Sequence, residues 1–139
     1  MGYFSYPNCK TGCMKLLLTF IGEDLRQDEG YEFEISAMDS EKFGTHFKIT
    51  MVYNDIGNKQ IQDDLNLFVT DKTTDMVSPG NERSLTDIDT QNNVEQIVLK
   101  SLPKGGLRVK VHAQRILAHQ SQDYALAWSV FTPMVGAVL

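Results

Sequence analysis

What this sequence has little of narrows its function before any motif is read. It holds two cysteines, one tryptophan and four prolines, with no long apolar run and no excess of positive charge. The cysteines, Cys9 and Cys13, lie four apart in Pro7-Asn8-Cys9-Lys10-Thr11-Gly12-Cys13, a turn-like stretch that either closes a small disulfide loop or carries two free thiols. Zinc held through sulfur needs more ligands than this, and His46, His112 and His119 are dispersed with no second Cys pair beside them. Thirteen Lys and Arg stand against eighteen Asp and Glu, a net charge of −5. The cations that neutralise phosphate are therefore missing, and nucleic acid is not expected as a partner. The longest uncharged stretch, residues 124–139, contains Ser129, Thr132 and Pro133 and falls short of the roughly 20 apolar residues a spanning helix needs, so no membrane span is expected. Met1-Gly2-Tyr3-Phe4-Ser5-Tyr6 shows no basic region followed by an apolar stretch, and no export signal is visible within the chain.

What remains is the composition of one globular domain. With 139 residues, 42% of them hydrophobic and 22% charged, the chain suits a single packed core rather than disorder or a coiled coil. Alternation, not helical spacing, dominates. Tyr31-Glu32-Phe33-Glu34-Ile35-Ser36 alternates strictly, and Phe47-Lys48-Ile49-Thr50-Met51-Val52-Tyr53 repeats the pattern with Phe47, Ile49, Met51 and Tyr53 on one face. Residues 15–21 form an apolar run that is expected to pair with 31–36. Further strands are expected at 65–70, 76–77, 94–99, 107–113 and 124–131, where Val, Ile, Leu and aromatics collect. The breaks carry Gly, Pro, Asn and Asp, as in Ser78-Pro79-Gly80-Asn81 and Leu102-Pro103-Lys104-Gly105-Gly106. Only 22–30 and 116–120 read as helical turns, and neither has the apolar periodicity of a core helix. About eight short strands without helices predict an all-β fold, an antiparallel β-sandwich of the jelly-roll type. In the last strand Tyr124, Leu126 and Trp128 share a face, which puts the single tryptophan in the core.

The chemistry of catalysis is not visible. No serine sits in a Gly-x-Ser-x-Gly elbow, and there is neither a Gly-rich phosphate loop nor a His-Glu-x-x-His helix. Catalytic residues are therefore not assigned in this chain. Oxygen ligands cluster more suggestively. Asp87-Ile88-Asp89-Thr90-Gln91-Asn92-Asn93-Val94-Glu95 offers Asp87, Asp89, Asn92 and Glu95 as ligands for a hard cation, and Asp63-Asp64 at the start of a strand offers two more. Calcium is the ion this set suits, against the alternative of acidic turns held by their own backbone. The 87–95 loop lacks the central glycine of the helix-loop-helix calcium motif and is not that motif.

The order of the pieces is itself informative. Tyr53-Asn54-Asp55 closes a strand, Asp63-Asp64-Leu65-Asn66-Leu67 opens the next, and Gly80-Asn81 follows. Asn92-Asn93-Val94-Glu95, Pro103-Lys104-Gly105-Gly106 and Gln122-Asp123-Tyr124 come after it. Over residues 15–131 this resembles the C-terminal β-sandwich that follows the catalytic domain in a subset of subtilisin-like serine proteases and, more loosely, the P-domain of the proprotein convertases. The family's Asn-Asp-Leu-Asp-Leu reads Asp63-Asp64-Leu65-Asn66-Leu67 here, while its Asn-Asn-Val-Glu is intact at Asn92 to Glu95. The resemblance implies a non-catalytic accessory domain that stabilises a subtilisin-like serine endopeptidase and assists substrate engagement. Its partner would be the catalytic domain of the same polypeptide, which carries the Asp, His and Ser motifs, and calcium is bound in some members. It further implies a secreted or cell-envelope protein, with residues 1–14 a linker from the catalytic domain, a core at 15–132 and a tail at 133–139. The alternative is a free-standing binding module for carbohydrate or protein. The loops carry few aromatics to stack on a ligand, which favours the first reading.

Overall fold

Alternating apolar residues become pleated strands wherever one face meets a core, and most of the expected strands form that way here. The computed structural model describes residues 2–5, 14–36, 45–55, 62–117 and 120–132. The readings placed on Cys9, Cys13, His119 and the 133–139 tail lie outside the described residues. Nine strands are seen among the described residues: β1 (Gly2–Ser5), β2 (Met14–Leu25), β3 (Gly30–Ile35), β4 (His46–Tyr53), β5 (Asp64–Asp71), β6 (Val77–Pro79), β7 (Val94–Leu99), β8 (Leu107–Arg115) and β9 (Gln122–Phe131). A 3-10 turn, Gly80–Glu82, follows β6. None of the described helices is long and apolar enough to cross a membrane.

The strands form two antiparallel sheets, β1-β2-β9-β4-β7 and β3-β8-β5-β6. From β2 onward the chain crosses from one sheet to the other at every connection except the one between β5 and β6. That alternation is the jelly roll the sequence predicts. β1, in the segment read as a linker, adds a fifth strand at the edge beside β2, with Gly2 opposite Leu17.

The expected pairing of 15–21 with 31–36 does not form. β2 pairs with β9 and β3 with β8, in opposite sheets. The reason lies in the turn between them. The register slips between Gly22 and Leu25, and Asp24 and Asp28 adopt left-handed backbone with φ of 55° and 67°. Asp28 N–H then donates to Ala113 C=O at 2.7 Å, while Ala113 N–H donates to Glu29 C=O at 2.9 Å. Those bonds deliver the chain to β8 before it can fold back on β2. The same turn replaces the helical turn expected over 22–30. At the second expected helical turn, Ile116 and Leu117 are irregular.

The core lies between the sheets. Phe47, Ile49 and Met51 of β4 are fully buried and Tyr53 nearly so, facing Leu65, Leu67 and Val69 of β5 and Leu107, Val109, Val111 and Ala113 of β8. This is the inward half of each alternating strand, as a two-layer fold requires. Tyr124 and Leu126 are buried as expected, while Trp128 is only partly buried. Its ring packs at 4.8 Å from Phe33, so it bridges β9 to β3 at one side of the sandwich rather than lying at its centre.

Candidate functional site

One end of the sandwich is polar inside. Asp63, Asp64, Asn66, Asp89 and Glu95 are all buried there, beside Tyr53. Burying so many oxygens costs free energy unless each finds a partner, and the partners come from segments far apart in the chain.

Tyr53 ends β4 with its ring turned inward. Its hydroxyl donates to the Asp63 carbonyl at 3.0 Å and accepts from the Leu65 N–H at 3.4 Å. Burial, reinforced by the charges of Asp64, Glu95 and Asp55, pushes its pKa well above the ordinary phenol value and keeps it protonated. Asn93 holds the same residue by its backbone. Its carbonyl accepts from Tyr53 N–H at 3.2 Å and its amide donates to Tyr53 C=O at 2.8 Å. Asp55, just past β4, accepts from the N–H groups of Gln62 and Asp63 at 3.0 Å each and so ties the start of β5 back to the end of β4. Asp63 in turn accepts from Leu117 N–H at 2.7 Å.

Asp89 and Glu95 are two buried carboxylates of one segment with opposite fates. Asp89 Oδ1 accepts from the N–H groups of Gln91 and Asn92 at 2.9 and 3.1 Å, and its Oδ2 from the amides of Asn81 and Asn92 at 2.6 and 2.7 Å. Burial opposes the charge on Asp89, but these four donors outweigh it and hold the carboxyl below its usual pKa. Glu95 has fewer. Its Oε2 accepts from Leu67 N–H at 2.8 Å, and the Asn66 amide, assigned from its partners with nitrogen rather than oxygen inward, donates to its Oε1 at 3.1 Å and to the Asp89 carbonyl at 2.9 Å. Burial dominates here, offset in part by the Leu67 bond and reinforced by Asp89 and Asp64, and raises the Glu95 pKa to about 8. Asp64 is raised as well, by burial first, with Arg115 opposing.

Glu95 also joins the sheets. It stands on β7, and Leu67 lies on β5 one residue beyond the stretch that β6 covers, 68–70. The carboxyl thus satisfies a strand N–H that no strand among the described residues reaches. Gly80 makes room for it, since a Cβ at residue 80 would lie 2.8 Å from the Glu95 Cβ and closer still to its carboxyl oxygen.

Of the six candidate ligands, Asp63, Asp64, Asp89, Asn92 and Glu95 are gathered at this end of the fold. Asp87 is not among them: it is exposed and bound to Arg83 at 3.1 Å. No group of three or more His, Cys, Asp or Glu side chains among the described residues is arranged to hold a metal ion. The oxygens of Asp89 and Glu95 point at N–H donors instead. Three participants stood in the sequence without an assigned role: Gly80 and Asn81 read as a turn and as one of the ordered motifs, and Asn66, beside Asp63 and Asp64 in the sequence, places its amide between Asp89 and Glu95. An amide two positions from a paired acidic cluster, on the same face of the strand as Asp64, was the available signal. No protein-family model matches the chain, and no curated protein matches it.

Proposed function

We propose that this chain is a non-catalytic accessory domain of a subtilisin-like serine endopeptidase, packing against the catalytic domain of the same polypeptide and stabilising it. The observation that supports the reading is the convergence of its quoted motifs. Tyr53-Asn54-Asp55, Asp63 to Leu67, Gly80-Asn81 and Asn92 to Glu95 are separated along the chain, yet they meet in one partly buried hydrogen-bond network on a jelly roll. Such a network fixes the connections between β4 and β5 and between β6 and β7, so that this end of the domain offers a partner a preset shape. The reading also places the protein in an exported or cell-envelope setting, with the catalytic Asp, His and Ser in the other domain.

The test is the coding sequence upstream of the Gly2 codon. The three protease motifs are expected there in the same frame. A frame that opens at Met1 with no protease beside it would overturn the proposal and leave a free-standing binding module, which glycan and protein arrays would then address. Calcium is a separate matter of this same site. Because N–H donors already face the Asp89 and Glu95 oxygens, an ion would have to displace them. We expect thermal melting with and without chelator to give midpoints within about 1 °C, whereas a bound ion at saturating concentration would shift the midpoint by roughly 5 °C or more.

A further inference from the structure

At the open side of the sandwich, β6 and β7 are the edge strands of opposite sheets, and the segment that arches between them leaves a cleft of about 700 Å³. One wall of this cleft is a free strand edge. Among the described residues β7 pairs only with β4, and the Tyr53 N–H to Asn93 C=O bond sets the phase: Asn93, Glu95, Ile97 and Leu99 turn their main-chain groups to β4, while Val94, Gln96 and Val98 turn theirs away. The Asn81 side chain meets the first of these. Its Oδ1 accepts from Gln96 N–H and its Nδ2 donates to Val94 C=O, both at 3.0 Å. A side-chain amide here makes the two bonds that a main-chain peptide of an added strand would make. One step further along, the Gln96 carbonyl and the Val98 N–H face the cleft, and no strand among the described residues pairs with them.

The rest of the lining fits a chain rather than a compact polar ligand. Leu85 is 56% exposed and Val98 36%, with Val77 beside them and the hydroxyls of Ser78 and Ser84 between. Arg83 is tied to Asp87, which leaves Glu82 as the lining charge without an ion-pair partner among the described residues.

We propose that an extended peptide segment, apolar at alternate positions and flanked by a Lys or Arg, adds to the free edge of β7 beyond Asn81. Its main chain bonds the Gln96 carbonyl and the Val98 N–H, its apolar side chains rest on Leu85 and Val77, and its cation neutralises Glu82. Strand addition takes affinity from the main chain and specificity from alternate side chains and charge. The proposal does not depend on the protease reading.

A displayed library of random nonapeptides selected on the intact chain tests it. Sequences with alternating β-branched residues and at least one Lys or Arg should be enriched, and a synthetic peptide of the selected sequence should protect the Val98 amide from hydrogen exchange. Val98→Pro removes that N–H on an edge where proline is tolerated and should weaken binding about tenfold or more, the loss of roughly one hydrogen bond and its register. Glu82→Gln should weaken it about threefold and remove most of its salt dependence. Leu85→Asp, at an exposed turn position that leaves the core intact, should abolish binding and serves if the proline variant does not fold. No enrichment over an uncoated surface, or equal binding by Val98→Pro and Leu85→Asp, would overturn the proposal, as would concentration-dependent self-association through this edge in place of peptide binding.

Discussion

Replacing Glu95 with Gln is expected to flatten the pH dependence of this domain's stability. Burial raises the Glu95 pKa from 4.5 to about 8, so between those values the folded state binds a proton that the unfolded state has released. Stability from this group is therefore complete below about pH 4.5 and is lost as the pH rises through 8. The span is on the order of 3 kcal/mol, because each unit of pKa difference is worth about 1.4 kcal/mol and local relaxation absorbs part of it. Asp64, also raised by burial, adds in the same direction. Asp89, held low by its donors, loses its contribution only on acidification below the ordinary carboxylate range. The tyrosines act at the alkaline end, since Tyr124 is pushed up to about 12, by burial and then by Tyr31. Urea denaturation between pH 5 and 8.5, in chelator, should show the parent losing stability as pH rises and Glu95→Gln changing little. The variant should be the more stable of the two at pH 8.5. Parallel curves would show that Glu95 does not carry the proton. In added calcium a rise in stability with pH would instead mark a metal-bound carboxylate, because ligation requires the deprotonated form.

The second large effect is at Gly22. It stands directly opposite Tyr124 in the β2–β9 pair, and a Cβ there would fall inside the Tyr124 ring. The ring lies over the glycine, a cross-strand arrangement that covers bare backbone with an aromatic face. Tyr124 is 4% exposed and its ring is 6.3 Å from Phe20, which in turn stacks on Tyr31 at 4.8 Å. Gly22→Ala must expel the ring from this cluster, and we expect a loss of about 3 kcal/mol. A double-mutant cycle checks the cause. In a Tyr124→Ala background the Gly22→Ala change should cost less than about 0.5 kcal/mol, since the obstructing ring is gone. Equal losses in both backgrounds would place the strain in the backbone.

Much of the fold could be read from period-two patterning, because one wet face and one dry face leave their mark on every strand. The burial of Phe47, Ile49, Met51 and Tyr53 follows directly from their spacing in β4. What patterning could not convey was the partner of each strand. β2 and β3 look like a hairpin because they are adjacent and both apolar, but the left-handed Asp28 and its bond to Ala113 send β3 to the other sheet. Nor does alternation hold at the start of β5, where Asp64 to Leu67 are all buried in succession. Both faces are covered there, and the polar residues survive only by hydrogen bonding.

The polar end divides in the same way. Its acids and amides were visible as clusters, and their oxygen-rich composition suggested an ion. Whether an oxygen meets a cation or an N–H depends on which backbone donors the fold brings to it. Asp87 and Asp89 are two residues apart, yet one is exposed beside Arg83 and the other receives four hydrogen bonds. The sequence by itself determined an acidic all-β domain, its strands and the residues of its core, because hydrophobic period is a local property. Tertiary structure alone decided the pairing of those strands, the joining of distant motifs through Tyr53, Asn81 and Glu95, and the protonation of Glu95. Each of these depends on contacts between residues far apart in the chain.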